Sequence, residues 1–168
     1  NLDTTIQNLK SYNQLTKTNN NIKTNIDTTV SIFNVLHIPE LIKWKMNNID
    51  LKDINQYPTH GGMIGIHFLY NPKFLSIKCL PENYKELVSE KYEELYEWLK
   101  TNHPYYDKII DKPNGIKKLK SIVNFMWSEN KSNLLPQTFE YVRRLEEIRQ
   151  LNFSIIFPEL KDLYNEYR

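Results

Sequence analysis

The chain has 168 residues, 40% hydrophobic and 25% charged, with 22 basic against 20 acidic side chains and a net charge of +2. That length supports one domain with a real core. The balance of charge gives no reason to expect nucleic acid or an anionic membrane as partner, and no apolar run approaches the roughly 20 residues that span a bilayer. The single cysteine, Cys79, excludes an intrachain disulfide framework or a cysteine-held metal site within the chain, and makes a reducing, cytoplasmic setting the simpler expectation.

The chain opens on Asn1 directly into a helical pattern, without an initiator Met or the apolar stretch of a secretory signal, and is expected to be a processed chain or part of a longer protein. Leu2, Ile6, Leu9 and Leu15 recur at helical spacing, with Asp3 as a possible N-cap, and predict an amphipathic helix over residues 3–16. The Asn-rich run at 19–21 reads as a turn. Residues 25–34 then carry Ile26, Val30 and Ile32 on even positions with Asp27, Thr29 and Ser31 between them, which predicts a strand with unlike faces. Its polar face needs hydrogen-bond partners, and both a ligand and solvent meet that need.

Pro39 stands at the first turn of a second helix that runs to about Asn47. Turn residues dominate from 48 to 62, and residues 63–70 then form a nearly continuous apolar run, the pattern of a strand buried on both faces of a parallel sheet. A helix between two such strands is the βαβ arrangement. His67 interrupts the second strand and is expected to be satisfied inside the sheet. Residues 74–77 predict a short extended piece. From Pro81 a strong helix follows, with Tyr84, Leu87, Val88, Tyr92, Leu95, Trp98 and Leu99 on its apolar stripe and its glutamates on a solvated face. Beyond a subdomain boundary near Asn102 only helices are predicted, over 116–126 and 135–148, before a closing stretch that ends in Phe157-Pro158-Glu159-Leu160.

The four histidines, His37, His60, His67 and His103, show no spacing typical of a metal site. His60-Gly61-Gly62 is either an anion-binding turn or a plain entry turn, the second being the stronger reading because no P-loop signature follows. Arg143, Arg144 and Arg149 with Glu146 and Glu147 read as a salt-bridged helix surface, and Cys79 as a small core residue.

Thr28-Thr29-Val30-Ser31-Ile32-Phe33-Asn34, Pro39-Glu40-Leu41 ahead of Trp44, Phe68-Leu69-Tyr70-Asn71-Pro72 with Leu75-Ser76-Ile77 and Leu80-Pro81, and Leu145-Glu146-Glu147-Ile148-Arg149 with Phe157-Pro158-Glu159-Leu160 follow one another in an order that resembles the C-terminal half of radical S-adenosylmethionine enzymes of the phage-type, twitch-domain kind. The resemblance spans most of the chain. It implies an α/β fold in which residues 1–102 are the C-terminal part of a partial parallel (βα) barrel and residues 103–168 an all-helical C-terminal subdomain, the two predicted strands being the fifth and sixth of the barrel. It further implies that S-adenosylmethionine is held at the carboxyl rim by Thr28, Ser31 and Asn34 and, after the next strand, by His67 and Asn71. Thr28 and Ser31 lie on opposite faces of a regular strand, so one of them falls away from the site unless a bulge shifts the phase. The family's four-iron four-sulfur cluster, from which an electron cleaves the cofactor to a 5′-deoxyadenosyl radical, requires a CxxxCxxC motif. One cysteine does not supply it, so the missing N-terminal half of the same protein is the expected partner, and the substrate stays open. The competing expectation is a non-catalytic α/β interaction module that docks a protein through its C-terminal helices.

Overall fold

A computed structural model describes residues 2–19, 21–51, 54, 63–112 and 115–167. Alternation of β-branched and polar residues produces strand β1 (Asp27–Val30), and the apolar run after the central loop produces strand β2 (Gly65–Phe68). They pair in parallel, with Asp27 opposite Gly65, Thr28 opposite Ile66, Thr29 opposite His67 and Val30 opposite Phe68. Among the described residues these two strands are the whole sheet. The rest is predominantly helical: α1 (Leu2–Thr18), α2 (Ile38–Asn47), α3 (Glu82–Asn102), α4 (Tyr106–Ile109), α5 (Ile116–Trp127), α6 (Leu135–Arg149), α7 (Phe153–Ile156) and α8 (Lys161–Asn165), with short 3₁₀ turns between them. The fold is therefore mixed α and β, with α2 on the crossover between the parallel strands.

Both strands are shorter than the sequence predicts, for different reasons. The first stops at Val30 because Asn34 folds back onto Ser31 and turns the backbone. The second begins only at Gly65, although Met63 and Ile64 are already buried. Its expected burial on both faces does not hold: Ile66 faces the core while His67 is exposed. Residues 74–77 are not extended; the segment forms two 3₁₀ turns, Lys73–Leu75 and Ile77–Cys79, with the Ser76 hydroxyl accepting from the Lys78 amide at 3.4 Å. The predicted turn His60-Gly61-Gly62 lies outside the described residues.

The long helix α3 buries Val88, Tyr92, Leu95, Tyr96 and Leu99 and exposes Glu82, Glu86, Glu90, Glu93, Glu94 and Glu97, the amphipathic division its period requires. Its stripe faces α2 on one side and α5 on the other. One hydrophobic cluster runs from Val30 and Ile32 of the sheet region through α3 and α5 to Phe153, Leu163 and Tyr164, and so continues across residue 102. Close packing fixes the entry to α5: a side chain on Gly115 would collide with the Ile109 carbonyl. Helix α6 ends at Gln150, whose φ of 51° places it in the left-handed region that commonly terminates helices.

Candidate functional site

Parallel pairing brings the carboxyl ends of β1 and β2 side by side, the usual place for a ligand in an open parallel sheet. The two exit loops are stitched together by the Leu69 amide donating to the Val30 carbonyl at 3.3 Å and the Ile32 amide donating to the Leu75 carbonyl at 3.0 Å. Within the first loop, Asn34 Oδ1 accepts from the Ser31 amide at 2.8 Å and from the Ser31 hydroxyl at 3.4 Å, while Asn34 Nδ2 donates to the Thr29 carbonyl at 3.0 Å. This is the turn chemistry of an Asn side chain standing in for backbone.

Of the five residues that the sequence nominates, the structure brings Ser31 and Asn34 together, bonded to each other. Thr28 sits half-buried on the same face as Val30, the face toward the core. His67 is exposed across from Thr29, so it is not satisfied inside the sheet as expected. Asn71 is exposed in the second exit loop.

Next to this rim lies a pocket of about 300 Å³ that sequence reasoning missed, lined by Phe33 from the β1 exit loop, Val142, Leu145 and Arg149 from α6, and Phe153 and Phe157 beyond it. Its walls are almost wholly apolar. Phe33 meets Phe153 edge-on and stacks on Phe157, with ring centroids 5.7 and 5.6 Å apart. Glu146 also borders the pocket, and both its oxygens are engaged: Oε1 accepts from the Phe153 amide and Oε2 from the Tyr164 hydroxyl, each at 2.6 Å. That carboxylate fixes the α6–α7 corner. The expected salt-bridged surface of α6 is thus only partly formed, since Arg144 pairs with Glu140 at 2.5 Å and Arg143 donates to the Tyr167 carbonyl at 2.6 Å. Leu151 and Ile156, which also line the pocket, are half exposed, and on α6 and α7 Ile148 and Ile155 stand 78% and 77% exposed. The signal available in the sequence is the run Leu151 to Phe157, which holds more apolar residues than so short a helix can bury.

Fitness for an iron–sulfur cluster follows from donor chemistry. Cys79 is fully buried, its thiol directed at the Lys73 carbonyl at 3.4 Å, and burial pushes its pKa up to about 11. Cluster ligation needs accessible thiolates, several of them, so this residue does not fit. The histidines are occupied elsewhere or scattered: His37 bonds Glu159 at 2.5 Å, and buried His103 accepts from the Tyr105 amide at 3.0 Å. Among the described residues no group of three His, Cys, Asp or Glu side chains is placed to hold a metal ion, and no helix is long and apolar enough to cross a membrane. No family model, no curated relative and no solved structure matches this chain.

Proposed function

We propose that this chain supplies the C-terminal part of a radical S-adenosylmethionine enzyme, a partial (βα) barrel whose cluster is carried by cysteines outside the chain. The observation that supports the reading is the parallel β1–β2 pair with a helical crossover, whose carboxyl ends meet where such enzymes hold their cofactor. In this reading, the rim is preorganised by Asn34 and Ser31, the second exit loop brings Asn71 alongside, and the adjacent Phe33 pocket excludes water from one flank. Thr28, turned to the core, supports the strand and makes no cofactor contact. No step of the radical chemistry is assigned to these residues, because the cluster does not fit them.

Anaerobic reconstitution with iron and sulfide, read by absorption spectroscopy, is expected to leave this chain without a stoichiometric cluster. Calorimetric titration with S-adenosylmethionine should show tight binding only when the chain is joined to a half that bears CxxxCxxC. A full cluster on this chain alone, or no cofactor binding by the joined protein, refutes the proposal.

The exposed apolar face at the α6–α7 corner favours a second reading, an interaction module that docks a protein through its C-terminal helices. Sedimentation separates the two uses of that face. A chain that stays monomeric at high concentration, and whose behaviour is unchanged by lysine at Ile148 and Ile155, does not dock a second copy of itself there.

A further inference from the structure

The near-neutral overall charge conceals a local imbalance on α5. This helix carries Lys117, Lys118 and Lys120 near its N-terminus and no Asp or Glu at all. Cations there oppose the helix dipole, so the arrangement runs against what helix stability alone would favour. Ile116, Leu119, Ile122 and Met126 are fully buried on the inner face, which leaves the lysines, with Asn124 and Trp127, to the outer one. None of the three ammonium groups forms an ion pair with a described residue. Lys118 Nζ lies 4.7 Å over the ring of Phe68, and Lys120 Nζ 5.7 Å over that of Tyr96. Glu129 pairs with Lys78 at 3.3 Å and Lys131 at 3.1 Å, Glu97 pairs with Lys100, and Glu93 faces the Tyr96 side, while Asp107 and Asp111 stand exposed on the segment before α5, whose Ile110 carbonyl accepts from the Lys117 amide, without an ion pair to these lysines. The ammonium groups of Lys117 and Lys118 therefore stay outside the ion pairs of the described residues.

Beside these lysines stands an aromatic shelf. Phe68 and Phe125 stack at 4.6 Å, Lys78 caps the Phe125 ring at 4.5 Å, and Tyr70 sets its ring edge-on to Phe125 at 5.5 Å while remaining 65% exposed. Lysines next to an open aromatic ring are the two ingredients of sequence-tolerant binding to single-stranded nucleic acid: phosphate contacts along the backbone and a face on which a base stacks. A membrane surface is a poorer match, since the apolar face of α5 is buried in the core and offers nothing to insert.

We infer that the outer face of α5, together with Tyr70, binds single-stranded nucleic acid, with Lys117 and Lys118 on phosphates and one base stacked on Tyr70. The inference does not depend on the cofactor reading. Fluorescence anisotropy of labelled dU20 and rU20, which share a base and differ only in the sugar, tests it on the full chain between 50 and 200 mM salt, and a preference between the two probes assigns the sugar. Binding should weaken with salt, and K117Q/K118Q should lower the affinity at least tenfold and flatten the slope of log K against log salt by about 1.4, two phosphates at about 0.7 each. Lys117→Gln, which disturbs no ring contact, should flatten it by about half as much. Tyr70→Ala should cost at least fivefold at an unchanged slope, the low end for one stacked base. Unchanged thermal melts show that the variants are folded. Absence of binding at 50 mM salt, or an unaltered slope in both lysine variants, overturns the inference. Equal competition by polyglutamate with no effect of Tyr70→Ala also overturns it, and reassigns the face to an acidic protein.

Discussion

At the end of β1 the chain turns on Asn34, whose oxygen is committed to Ser31 and whose nitrogen to Thr29, so the polar groups of the turn are satisfied within six residues of sequence. At the end of α6 it turns on Glu146, equally satisfied by Phe153 and Tyr164, yet this corner leaves Ile148, Leu151, Ile155 and Ile156 outside the core. The first region has a closed polar inventory and little apolar surplus; the second has closed polar bonds and a large apolar surplus. Hydrogen bonding alone does not separate a finished surface from an unfinished one. Apolar exposure does.

The comparison breaks most visibly if the corner is not one packed unit. Phe153, buried against Phe33, Phe139, Phe157 and Tyr164, is the test. Phe153→Ala is expected to lower unfolding stability by about 3–5 kcal/mol in chemical denaturation. A loss below about 1 kcal/mol means that the corner already rearranges in the native protein. Next in size is Asn34→Ala, which removes the three side-chain bonds of the turn and should cost about 1–2 kcal/mol, within the range for lost capping and turn contacts. In the protein joined to a cluster-bearing half, S-adenosylmethionine affinity should then weaken only in step with the loosened turn. A variant that melts normally but loses cofactor makes Asn34 a ligand contact and the polar inventory of the rim open. The smallest effect on folding belongs to Ile148→Lys and Ile155→Lys, which should each shift stability by less than about 0.5 kcal/mol because the side chains are solvated. Any change in self-association is then a property of the face and not of the fold.

Much of the helical layout is legible in sequence because it rests on local periodicity: the inner face of α5 and, apart from exposed Leu87, the stripe of α3 from Tyr84 to Leu99 need no partner to be recognised, whereas the burial of Lys85 is not written in that period. The parallel relation of β1 and β2 is legible too, from an apolar run placed one helix after an alternating one. Strand ends are not, because Asn34 and the 3₁₀ turns at 73–79 act through side-chain bonds and packing that period-two alternation does not encode. His67 is illegible for a related reason: an apolar run does not say which of its residues stands on a face left uncovered, and here paired Thr29 and His67 share such an exposed face. The Phe33 pocket was invisible because it joins residue 33 to residues 142–157, and no local pattern announces a contact at that distance. Tyr70 and α5 likewise meet only in three dimensions.

The pairing of Asp27–Val30 with Gly65–Phe68 also orders events in time. Closing the chain between these strands has to precede any gain from their hydrogen bonds, whereas α3 draws on contacts only a turn apart. Pulse-labelled amide exchange during refolding should therefore protect Val88 to Leu99 before Gly65 and Leu69, and early protection of the strands would contradict this order. In the native protein the same amides give a second readout: a rim that opens at lower free energy than α3 should exchange faster at Gly65 and Leu69 than at Val88 to Leu99, and a ligand that binds only the closed rim would slow that exchange.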